Sequence, residues 1–116
     1  MKQNFYDGKV FAAVANSENG EVSGKTKFFY HQTGDIVWAE YSGGEIVKGF
    51  LVGKADSEGR LTFSYQHINI DSEIRIGMCN SFPEQPDGGK LRLNETWQWL
   101  NGDKSTGTSI IEEVAG

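Results

Sequence analysis

Apolar and polar side chains alternate along most of this chain with a period of two. Leu61, Phe63, Tyr65 and His67 are separated by Thr62, Ser64 and Gln66, and Leu91, Leu93, Glu95, Trp97 and Trp99 by Arg92, Asn94, Thr96 and Gln98. The same rhythm runs through Thr26, Phe28, Tyr30 and Gln32, and sets Ile74, Ile76 and Met78 against Arg75, Gly77 and Cys79. Neighbouring side chains of a strand point to opposite faces, so this pattern predicts half-buried strands rather than helices. Turn-forming residues break it at Asn19-Gly20, Thr33-Gly34-Asp35, Gly43-Gly44, Asp56 to Gly59, Ile70-Asp71-Ser72, Pro83 to Gly89 and Asn101-Gly102-Asp103, which divides the chain into eight segments. No stretch supports a useful helix, because β-branched and aromatic residues dominate and Gly49 and Gly53 interrupt the fourth segment.

Eight such strands place more than half of the chain in sheet, against roughly 20–25% in an ordinary domain. A small closed barrel accounts for that excess, since short links join sequential neighbours and closure removes the edges. The expected fold is therefore all-β: an eight-stranded, antiparallel, up-and-down barrel spanning residues 1–116 as one domain. A two-sheet sandwich, which needs the same strands and turns, is the alternative. Gly49, Gly53 and Gly77 inside strands are expected to mark bulges or bends. The inward faces of the third, fourth and sixth strands stay open. In the third, Val37, Ala39 and Tyr41 compete with Ile36, Trp38 and Glu40.

Charge narrows the partners. Eleven Lys and Arg against 16 Asp and Glu leave −5, which argues against nucleic acid and against an anionic membrane surface. Fifteen Gly with only 2 Pro suit tight turns rather than a linker. Cys79 is the one cysteine, so no internal disulfide forms. The Met1 to Gly8 segment is polar, and Val10 to Ala15 is shorter than a signal-peptide core, which makes the cytoplasm the expected compartment.

Chemical motifs are few. Gly24-Lys25-Thr26 lacks the earlier glycine of a phosphate-binding loop, holds Asn19 in its place, and leads into strand-like Phe28-Phe29-Tyr30. His31, His67 and Cys79 have no metal-type spacing, so no metal and no cofactor is expected. The informative signal is polar groups sharing a face with large apolar ones. Glu95 lies between Leu93 and Trp97, His67 continues Leu61, Phe63 and Tyr65, and Tyr30 continues Phe28. A carboxylate inside a barrel costs several kcal/mol unless it is hydrogen-bonded or paired. Tyr30, Tyr65, His67, Glu95 and Trp97 are therefore candidates to line a site for a small, partly polar ligand, or to form a purely structural network. Trp97 and Trp99 read equally as core plugs or as stacking walls.

Several linked stretches carry a resemblance. They are Asn16 to Val22, Ala39 to Gly44, Ile46 to Gly53, Tyr65 to Asn69, Gly77 to Ser81, Glu95 to Trp99 and Gly107 to Glu113. Together they resemble a family of small bacterial proteins commonly labelled N-acetylglutamate synthase. The resemblance implies an avidin-like or calycin-like barrel. The label implies acyl transfer, yet the nearest approach to the acetyl-CoA signature, Gln85 to Lys90, ends in Lys90 and runs into a strand. A ligand-binding barrel is thus the leading reading. An enzyme, either an N-acetylglutamate synthase as the label states or one using His67 and Glu95 as acid and base in another reaction, is one alternative. An accessory protein is another, whose exposed Phe29 and Phe50 would contact a partner or a second copy. A lumen of roughly 300 Å³ or more would favour binding, and a filled one the accessory role.

Overall fold

The computed structural model describes residues 5–114; Met1 to Asn4, with Ala115 and Gly116, lie outside the described residues. Eight strands follow one another: β1 (Val10–Asn16), β2 (Lys27–Thr33), β3 (Ile36–Gly43), β4 (Ile46–Ala55), β5 (Leu61–Asn69), β6 (Ile74–Glu84), β7 (Arg92–Trp99) and β8 (Thr106–Glu113). Each pairs antiparallel with its neighbour in sequence, and β8 closes on β1. The barrel is thus the expected one, not the sandwich. Among the described residues the helical content is a single 3-10 turn, Pro86–Gly88, between β6 and β7.

The alternation seen in the sequence becomes the two faces of the wall. Phe28, Tyr30 and Gln32 of β2, Leu61, Phe63 and His67 of β5, and Leu93, Glu95, Trp97 and Trp99 of β7 are buried, while their alternates face outward. The three open strands also resolve. Val37, Ala39 and Tyr41 of β3 point in, as do Gly49 and Leu51 of β4 and Gly77, Cys79 and Ser81 of β6. Ile74, Ile76 and Met78 are consequently exposed, against what hydropathy alone suggests.

The strand glycines are not bulges, one of the two expectations for them. Gly49, Gly53 and Gly77 hold regular ladder positions, and the register shifts lie instead between Ala13 and Ala15, Tyr41 and Gly43, and Ile46 and Lys48. What the glycines supply is room. A Cβ on Gly49 would run into the Tyr41 ring, on Gly77 into the Tyr65 ring, and on Gly107 into the Trp97 ring. Large inward aromatics fit a small barrel because the residue beneath each has no side chain.

The two ends differ. Tyr6 precedes β1 and is fully buried, its hydroxyl donating to Gly59 O at 2.5 Å and its N–H to Gln32 Oε1 at 2.8 Å. With Phe11, Tyr30, Leu61 and Leu91 it plugs the end that carries the β2–β3, β4–β5 and β6–β7 connections. The opposite end carries the β1–β2 loop, residues 17–26, and the β3–β4, β5–β6 and β7–β8 turns. That end is polar.

Candidate functional site

At the open end the lumen narrows to an aromatic pocket. Phe28, Tyr41, Phe63, Tyr65, Trp97 and Trp99 wall it, and Glu95 with Ser109 stands at its floor. Gly20, Glu21 and Val22 of the β1–β2 loop form its rim. Each wall residue occupies an inward position of a ladder, so the two-residue period of four different strands converges on one space.

Glu95 is the deep polar group. It is 92% buried by its 8% exposure, and the Ser109 hydroxyl donates to its Oε1 at 3.0 Å. Its Oε2 has no partner, and neither do Ser81 Oγ on the adjoining strand or Asn16 Oδ1. Burial pushes the Glu95 carboxyl up to about 7, with Ser109 and Ser81 pulling the other way. The carboxyl therefore titrates near neutral pH rather than in the acid range.

The rim is held by a second network. His67, 3% exposed, lies between Tyr41 and Glu21: the Tyr41 hydroxyl meets Nδ1 at 3.0 Å, and Nε2 meets Glu21 Oε1 at 2.8 Å. The Glu21 carboxylate can only accept, so Nε2 carries the imidazole proton and donates to it, and in the neutral ring Nδ1 accepts from the Tyr41 hydroxyl, which burial keeps protonated. Burial also lowers the pKa of His67, outweighing the pull of Glu21, which keeps the ring neutral. Arg75 Nη1 donates to Glu21 Oε2 at 2.7 Å, and its guanidinium lies over the Trp99 ring, 3.9 Å from the centroid. Asn69 Nδ2 adds a contact of 3.2 Å to the same oxygen. Trp99 Nε1 donates to Asn19 O at 3.1 Å, fastening the loop to β7.

Four of the five residues expected to line a site, Tyr65, His67, Glu95 and Trp97, border the pocket. Tyr30 does not. One inward step from Phe28 toward the plugged end, it packs on Phe11 and Tyr6, and its hydroxyl is buried without a partner. The sequence reading missed Tyr41, Glu21, Arg75 and Asn69. Tyr41 lay on the ambiguous third strand, Arg75 on the undecided sixth, and Glu21 in a loop with no periodicity to betray it. His31 is on the outer wall, where Nε2 meets Glu40 Oε2 at 2.9 Å, and no group of metal-ligating side chains occurs among the described residues. The cavity itself is about 50 Å³, short of the roughly 300 Å³ of a typical ligand pocket. It is room for a few waters or one small chemical group, so the volume expected of a ligand-binding lumen is not met and the lumen is close to filled.

A closed eight-stranded up-and-down wall with an aromatic pocket at one end defines a class of barrels that hold either side chains or one small molecule. A family profile described as avidin-like protein matches residues 4–114, and the chain belongs to that family. No curated protein and no solved structure matches the chain.

Proposed function

We propose that the protein binds a small, neutral, donor-bearing molecule in the pocket above Glu95. The observation that carries this reading is Glu95, a buried carboxyl that lines a largely apolar pocket and whose Oε2 has no hydrogen-bond partner. Such an atom costs stability as it stands, and a ligand N–H or O–H would satisfy it. Asn16 Oδ1, a second orphan acceptor bordering the pocket, asks for the same chemistry. The Trp97 and Trp99 rings, 5.4 Å apart between centroids and tilted by 57°, give the pocket an apolar aromatic wall. A cavity of this size takes the head of a ligand, and a longer molecule displaces the Gly20 to Val22 rim. Membership of the avidin-like family supports the reading. Native mass spectrometry of protein purified from its own host tests it. The expected spectrum shows a small molecule bound one per chain and lost in Glu95→Ala; a bare chain that takes up nothing from a host extract contradicts it.

A second reading rests on the outer wall. Phe29, Glu40, Phe50, Gln66 and Ile76 form one row across β2 to β6, and Trp38, Val52 and Met78 form the next. Phe29, Phe50, Val52, Ile76 and Met78 are exposed. We propose a second copy of the chain as the partner of this face. Light scattering that reports an oligomer, reduced to monomer by Phe50→Lys, supports it, and a wild-type monomer at micromolar concentration opposes it. The compartment we propose is the cytoplasm, where the lone, buried Cys79 thiol needs no partner. Cell fractionation tests that assignment.

A further inference from the structure

We infer that the barrel releases a proton from Glu95 when it takes up its ligand, so that binding tightens as pH rises and loosens in acid. This concerns the regulation of the site proposed above and rests on that reading. Ser81 on β6 and Ser109 on β8 are the ladder partners of Glu95, one on each side. The Ser109 hydroxyl donates to Oε1 at 3.0 Å, which commits that oxygen as an acceptor. Oε2 is left, buried and without a partner. The proton of the neutral acid and the N–H or O–H of a ligand therefore seek the same atom. With the proton on Oε2, the carboxyl is a donor there and meets the ligand donor to donor. Without it, Oε2 is an ionised acceptor and makes the stronger, charge-assisted bond. The proton and the ligand compete for one place.

The surroundings leave this exchange to Glu95. Among the described residues no cation pairs with it. Tyr6 from the segment before β1, Tyr30 from β2, Tyr41 from β3, Tyr65 from β5 and Cys79 from β6 all feel its charge. Burial, reinforced by that charge, holds each of the five protonated far above neutral pH. Asn16 of β1 and Leu51 of β4, which also line the pocket, do not titrate. His67 shares the pocket, but its two nitrogens are committed to Tyr41 and Glu21, and burial moves its pKa below the ordinary 6.5. Arg75 and Glu21 pair with each other at the rim. The Glu95 carboxyl, pushed up to about 7 by burial, is thus the lumen group that changes charge across the neutral range.

A ligand that needs the ionised form sees an affinity reduced by the fraction of chains that hold it. Acetamide serves as the probe, followed by the Trp97 indole N–H signal in nitrogen-15 correlation spectra at a series of pH values from 6.0 to 8.5. Wild type is expected to bind it roughly tenfold tighter at pH 8.5 than at pH 6.0, with close to one proton released per ligand in the acid arm. Glu95→Gln, which has no proton to lose, is expected to flatten the profile; a dependence that persists in this variant belongs to His67 and overturns the inference. Ser109→Ala removes a donor that favours the ionised form, so the midpoint of its profile should move to higher pH. Where Glu95→Gln binds no acetamide, that shift decides, and an unmoved midpoint overturns the inference. Circular dichroism checks each fold. Equal affinity at the two ends of the range, or tighter binding in acid, defeats the proton coupling while the ligand-binding barrel stands. If acetamide binds at no pH, the coupling falls as well, and the barrel's ligand is judged by native mass spectrometry alone.

Discussion

Ser109 donates to Glu95 Oε1 at 3.0 Å across the β7–β8 ladder, and the other oxygen of that carboxyl makes no hydrogen bond of good geometry, with the Ser81 hydroxyl nearby. Burial outweighs the pull of the Ser109 and Ser81 hydroxyls, which is why its pKa rises from 4.5 to about 7. The sign follows directly. The folded state holds a proton that the unfolded state releases between those values, so the contribution of Glu95 to stability is complete below pH 4.5 and is lost as pH rises to about 7.

Glu95→Gln isolates this. Glutamine keeps the shape of the protonated acid and cannot ionise. The variant should match wild type near pH 4.5 and exceed it by about 2–3 kcal/mol at pH 8. Paired urea melts across that range measure the difference, in which the opposing titration of His67 cancels. A variant less stable than wild type at pH 8 would mean that the ionised carboxylate is held by bonds the structure does not contain.

The plugged end gives a second prediction. Tyr6 is fully buried, and its ring seals the barrel below Tyr30. Tyr6→Ala should cost roughly 3–5 kcal/mol through the cavity it leaves. Tyr6→Phe, which removes only the bond to Gly59 O, should cost about 1 kcal/mol. Urea midpoints of both variants check the order. Equal losses would show that the hydroxyl rather than the ring does the sealing.

Acyl transfer makes the third. The closest match to an acetyl-CoA loop, Gln85 to Lys90, forms the 3-10 turn of the β6–β7 connection, at the end of the barrel away from the pocket. Three residues of 3-10 helix present no helix dipole to a pyrophosphate. Purified protein with acetyl-CoA and glutamate should release no thiol above background. Release proportional to protein concentration would assign the chain an acyltransferase activity.

Much of the wall was legible because a strand's period of two is rigid. Once Trp97 and Trp99 share a face, that face is inward and Glu95 goes with them. The sixth strand shows where such reading fails. Its apolar residues, Ile74, Ile76 and Met78, lie outside, because Gly77 must face in to clear the Tyr65 ring and Arg75 must face in to reach Glu21. Neither requirement is visible in hydropathy, since both are set by side chains from other segments. The rim was hidden for a related reason. Glu21 sits in a loop, 46 residues from His67 and 54 from Arg75, and only barrel closure brings them together. Tyr30 was placed on the correct face and at the wrong height, a coordinate that alternation does not encode.

The three tryptophans give the central claim its most direct test. Trp97 and Trp99 line the pocket, while Trp38 stacks on His31 on the outer wall. Their indole N–H signals in a nitrogen-15 correlation spectrum therefore report the lumen and the exterior separately. Titration with a panel of small amides, ureas and alcohols should move the Trp97 and Trp99 signals in a saturable way, leave Trp38 in place, and lose its effect in Glu95→Ala. Shifts confined to Trp38, or none at the two lumen indoles with any member of the panel, would contradict a ligand-binding barrel.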